Sequence, residues 1–79
     1  MALITEFERA TKDRPIVHRP TRCTYCDFIG PDGKRYLILD TYGSCDRAMP
    51  DKVSQSVQLD EQGAGRVLQI IRETFPNLR

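Results

Sequence analysis

The sequence predicts an α+β domain: a small three- to four-stranded antiparallel sheet with a C-terminal helix packed on one face and a short N-terminal helix. Three observations carry this. Residues 53–59 alternate strictly, with Val53, Gln55, Val57 and Leu59 on one side and Ser54, Ser56 and Gln58 on the other. Residues 61–75 then switch to helical period, with Ala64, Val67, Leu68, Ile71 and Phe75 inside an arc of about 100°. Before both, Gly30-Pro31-Asp32-Gly33 separates two strand-like runs. Proline presets the second turn position and glycine tolerates a left-handed exit.

Each element has a local reason. Leu3, Ile4, Phe7 and Ala10 have helical spacing, and Thr5 with Glu8 fits a capping box. Pro15 ends that segment, because the residue before proline avoids the helical region. Ile16-Val17, between Pro15 and Pro20, predicts a short edge strand. Residues 22–29 read as the first long strand and 34–42 as its hairpin partner. On the latter, Tyr36, Ile38, Asp40 and Tyr42 share one face, and Arg35, Leu37, Leu39 and Thr41 the other. A polar loop, 43–52, leads to the alternating strand. Asp60 suits the N-cap of the helix and Pro76 stops it. Leu37, Leu39, Val57, Leu59, Val67, Leu68, Ile71 and Phe75 are the expected core. Gly63 and Gly65 in the first turns each cost about 1 kcal/mol relative to alanine, so a closely packed or frayed first turn is expected there.

Seventy-nine residues make one small domain, and no stretch approaches the length of a membrane span. The N-terminus has neither a basic start nor an extended apolar stretch, so no secretory signal is expected and the location is read as cytoplasmic. The net charge of +1 points to no partner, but its distribution is uneven. Arg9, Lys12, Arg14, Arg19 and Arg22 face one anion, Asp13, with His18 among them. Such a run meets phosphate or covers a sheet edge.

Cys23-Thr24-Tyr25-Cys26 is a CxxC, and His18 and Cys45 complete a possible four-ligand zinc set. Positions three apart on a strand point to opposite faces, which argues against a zinc knuckle. Free thiols and no metal or other cofactor are therefore expected. No nucleophile elbow is present, and the lone His18 sits in a basic loop. Asp40, inside a strand, is expected to hydrogen-bond loop groups or to pair with Arg47 or Lys52. The remaining constellation is a binding surface of Arg35, Tyr42, Ser44, Arg47, Lys52, Ser54, Ser56 and Gln58. Tyrosine offers a stacking plane, the cations meet phosphates, and serine and glutamine hydrogen-bond sugars or base edges.

Residues 34–75, with Tyr36-Leu37-Ile38-Leu39-Asp40, the loop from Arg47 to Lys52 and Val57-Gln58-Leu59-Asp60, resemble the strand–loop–strand–helix unit of positive-cofactor-four-type single-stranded DNA-binding domains. A more specific pattern runs from Leu39-Asp40-Thr41-Tyr42-Gly43-Ser44 through Arg47 and Ser54-Gln55-Ser56-Val57-Gln58-Leu59-Asp60 to Ile71-Arg72-Glu73-Thr74-Phe75-Pro76. It is similar to short bacterial proteins catalogued as methionyl-tRNA formyltransferase-like, and to small segments attached to some restriction endonucleases. That enzyme would need a folate cofactor, a charged tRNA and Asn-His-Asp chemistry, which these residues do not supply. The reading is therefore a non-enzymatic nucleic-acid-binding module for single-stranded DNA or RNA of low sequence specificity, as monomer or homodimer. The alternatives are a protein-interaction or accessory subunit, for example of a restriction system, marked by an exposed apolar patch around Ile70, and a zinc-stabilised ribbon.

Overall fold

The computed structural model describes residues 1–43 and 52–79. Its elements are β1 (Ala2–Leu3), β2 (Cys23–Ile29), β3 (Arg35–Tyr42), β4 (Val53–Leu59) and α1 (Glu61–Thr74). The sheet has the order β1-β4-β3-β2.

The β2–β3 hairpin follows from its turn. Gly33 donates to the Gly30 carbonyl at 3.0 Å, and Gly30 donates to the Lys34 carbonyl at 2.8 Å. Gly33 has φ +78°, which a residue with a Cβ adopts only under strain. Asp32 Oδ1 accepts from the Lys34 amide at 3.1 Å and fixes the chain as it enters β3. Strand pairing then runs without interruption from Ile29↔Arg35 to Cys23↔Thr41.

β4 pairs antiparallel with β3, but its alternation breaks at the start. Leu59, Gln58, Val57, Ser56 and Gln55 oppose Leu37 to Thr41 in turn, and Val53, not Ser54, opposes Tyr42. The bulge puts Val53 on the Tyr42 face, where strict alternation had placed it with Gln55.

The sheet is mixed rather than antiparallel, and no N-terminal helix forms. Ala2 and Leu3 lie parallel to β4, opposite Val57 and Gln58, and the Ile4 amide donates to the Gln58 carbonyl at 3.0 Å. The free edge of β4 offers backbone partners at once, whereas a helix shorter than about 12 residues is marginal by itself. Residues 4–22 are irregular. Ile16 and Val17 form no edge strand, and Val17 is fully exposed.

Asp60 caps α1 as expected, its Oδ1 accepting from the Gly63 amide at 2.7 Å. A Cβ on Gly63 would stand 3.1 Å from the Ile4 carbonyl oxygen and 3.7 Å from Leu59 Cδ2. The missing side chain lets the helix, the N-terminal backbone and the sheet converge. This contact places α1 on the Leu37–Leu59 face.

The expected core is only partly formed. Leu59 is the one buried hydrophobic side chain among the described residues, at 5% exposure. Leu37, Leu39, Val57, Val67 and Ile71 are half-buried. Leu68 and Phe75 remain 48% and 60% exposed, because they lie to one side of the stripe that half-buries Val67, Ile70 and Ile71. No helix among the described residues is long and apolar enough to cross a membrane.

Candidate nucleic-acid interface

Strand register sorts the expected site residues onto two faces. Tyr42, Ser56 and Gln58 share the face opposite α1, since Ser56 opposes Asp40 and Gln58 opposes Ile38. Ser54 falls in the bulge, beside Val53. Lys52 is exposed at the start of β4. Arg35 lies on the other face, with Leu37 and Leu39, and its guanidinium donates to the Asp27 carboxylate in a solvent-exposed ion pair. The register thus separates it from the other residues of the expected surface. Ser44, Arg47 and Cys45 lie outside the described residues, and so does the expected pairing of Asp40 with Arg47.

The helix-free face has, at its β2–β3 end, a residue that belongs to the basic run. Arg22 Cζ sits 4.0 Å from the centroid of the Tyr42 ring, a favourable distance for a cation over an aromatic quadrupole. The Tyr42 hydroxyl shares a 3.0 Å hydrogen bond with the Thr24 hydroxyl. Thr21 Oγ1 donates to the Tyr42 carbonyl, continuing the β2–β3 contact one step past the ladder. Tyr42 is thereby held at both ends. Sequence spacing gives no hint of this pairing, which arises because β2 and β3 are neighbours.

A second aromatic pair lies at the hairpin end of the same face. Phe28 and Tyr36 stack with centroids 5.5 Å apart and planes at 25°. The Tyr36 hydroxyl donates to Asp32 Oδ2. That bond holds the Asp32 carboxyl below its ordinary value of 3.8, helped by the Lys34 amide. It also pushes the Tyr36 phenol above its ordinary value of 10.0. Between this pair and the Arg22–Tyr42 contact lie Cys26, Ile38 and the half-buried Asp40. Asp40 is the one carboxylate that the β2–β3–β4 register places on this face. A carboxylate at this position repels anions and accepts hydrogen bonds from N–H donors.

The zinc alternative meets the same register. Cys23 opposes Thr41 and Cys26 opposes Ile38, so the two exposed, free thiols project to opposite faces. Ile70 is half-buried and shares a recess with Phe7, Arg66 and Glu73. The exposed apolar part of the helix is instead at Leu68 and Phe75. No family model matches the chain, and neither curated proteins nor solved structures gave a significant match.

Proposed function

We propose that the chain is a non-enzymatic module that binds unpaired DNA or RNA, weakly and with low sequence preference, on the sheet face opposite α1. The observation that carries this reading is Arg22 resting on Tyr42, at the point where the basic run 9–22 joins the sheet. Guanidinium and aromatic planes both stack on bases, and bases of every kind have a stacking face. Lys12, Arg14 and Arg19 are exposed in the segment that leads to Arg22 and supply phosphate contacts, whereas Arg9 lies beside α1. Ser56 and Gln58, opposite Asp40 and Ile38, add neutral hydrogen-bonding groups further along the same face. The resemblance to single-stranded DNA-binding domains points the same way.

A fluorescence anisotropy titration with a short labelled oligonucleotide tests the proposal. Tyr42→Ala and Arg22→Ala should each weaken binding by about 1–3 kcal/mol, the usual cost of a lost stacking contact. Arg22→Ala should also flatten the dependence of log K on log salt by about 0.7 if its cation neutralises a phosphate. Arg35→Ala, on the opposite face, should leave affinity nearly unchanged. Absence of binding at low salt, or equal binding by wild type and both site variants, rejects the reading.

A further inference from the structure

The two edges of the sheet differ. β1 closes one side with two residues, and so short an edge offers little to a further strand. β2 leaves the other side open over seven residues, every one of them exposed. It has none of the features that keep sheet edges apart. It holds no proline and no lysine, and its pairing with β3 has no bulge.

The hairpin decides which backbone groups are open. Antiparallel ladders alternate hydrogen-bonded and non-bonded residue pairs. Gly30 donates to the Lys34 carbonyl, so Phe28, Cys26 and Thr24 also turn their amides and carbonyls toward β3. Cys23, Tyr25, Asp27 and Ile29 turn theirs outward, where no backbone group of the described residues meets them. The same alternation carried through β3 and β4 turns the Gln58 carbonyl toward β1, where it accepts from Ile4. On the α1 side of this open edge stand Tyr25 and Ile29, 77% and 55% exposed.

We propose that β2 pairs antiparallel with β2 of a second copy, about a two-fold axis at Cys26, so that the two sheets join into one. An open row of amides and carbonyls accepts an extended backbone, and the register makes that backbone β2 itself. About the Cys26 axis, Tyr25 of each chain faces Asp27 of the other, and Cys23 faces Ile29. Every outward group of both strands is then paired. An axis at Tyr25 would leave Ile29 beyond the end of the opposite strand, and an axis at Asp27 would set two carboxylates face to face. Asp27 is the one ionised side chain of β2, and about Cys26 it meets a neutral residue. Tyr25 of each chain also lies diagonal to Tyr25 and Ile29 of the other, so the exposed apolar side chains of one edge cover those of its copy. Cys26 faces Cys26 in a non-bonded pair, with Cα atoms about 4.5 Å apart, within the span of a disulfide.

Sedimentation of the full chain at about 10–100 μM should give twice the 9.1 kDa chain mass. Amide exchange should divide β2 by parity. Thr24, Cys26 and Phe28 should be protected at every concentration, and Cys23, Tyr25, Asp27 and Ile29 only as the dimer forms. A chain that keeps Cys26 alone (Cys23→Ser with Cys45→Ser) should cross-link rapidly with diamide. Each thiol gives up its proton, the two sulfurs join, and diamide takes up the two electrons and both protons to become the hydrazine. A chain that keeps Cys23 alone (Cys26→Ser with Cys45→Ser) should cross-link at least about tenfold more slowly, since its thiols would lie about 20 Å apart along the strands. Tyr25→Pro removes an outward amide without touching the β3 ladder, and should give a folded monomer. If that chain does not fold, exposed Cys26 gives the same answer. Cys26→Lys alone should dimerise about tenfold more weakly, and mixing it with Cys26→Glu should restore association. A wild-type chain at the monomer mass, with those four amides exchanging alike at every concentration, overturns the proposal and leaves the edge to a strand of another protein. A dimer that survives Tyr25→Pro, or in which the two single-cysteine chains cross-link alike, overturns it too.

Discussion

The Tyr36–Asp32 hydrogen bond gives one turn of this chain a pH signature from both sides. Asp32 ionises more readily in the folded state, so its contribution to stability is present above its unfolded value of 3.8 and is lost as pH falls through the lower folded value. Tyr36 holds its proton more tightly, so its contribution is present below 10.0 and is lost as pH rises through the higher folded value. The difference in thermal midpoint between wild type and Tyr36→Phe should therefore be flat from about pH 5 to 9 and shrink at both extremes. Thermal melts across pH check this, and a difference that persists unchanged at pH 2 would remove Asp32 as the partner. In the same turn, Gly33→Ala should cost about 1–2 kcal/mol through its left-handed backbone alone, since no atom lies near the added Cβ. On the binding face, Asp40→Asn should strengthen oligonucleotide binding by on the order of 1 kcal/mol, by removing a carboxylate from the path of phosphates. Weaker binding by that variant in the anisotropy titration would instead make Asp40 an acceptor for base amino groups.

At the scale of elements, the two glycines of α1 separate two causes that the sequence presents alike. Gly65 has open space where a Cβ would go. Gly65→Ala should therefore raise stability by up to about 1 kcal/mol, the helix-propensity gain. Gly63 has the Ile4 carbonyl 3.1 Å from the same point, and backbone does not yield easily. Gly63→Ala should lose that gain and destabilise the chain, as urea unfolding of the two variants will show. What was legible in the sequence follows the same division. The turn at Gly30–Gly33, the bounds of β4 and the Asp60 cap depend on neighbours in sequence, and they appear where local chemistry puts them. The N-terminal segment was read as a helix because the competing partner, the free edge of β4, lies more than fifty residues away. Arg22 was read as part of a charge run for the same reason: only the β2–β3 register brings it to Tyr42. Arg35 illustrates the opposite error, since its own alternation with Tyr36 and Tyr42 already put it on the other face.

The whole molecule places its surfaces in two opposed regions: a polar and aromatic sheet face, and an apolar face that the helix covers only in part. A compact chain of this mass would bury about 8,300 Å² on folding from an extended state. With 7514 Å² still exposed over all 79 residues, the chain buries only about 5,700 Å² by the same reference. Since the urea m-value scales with the area newly exposed on unfolding, a monomeric chain should show about two-thirds of the m-value usual for 79 residues. A monomeric chain with the full m-value of a compact domain would mean that α1 closes onto its own sheet in solution. It would then bury Leu68 and Phe75 against Leu37, Leu39 and Val57, and Leu68→Ala would cost about 2–5 kcal/mol as a core truncation. With Leu68 half-exposed the expected cost in the monomer is well under that range, so the same substitution distinguishes the two arrangements.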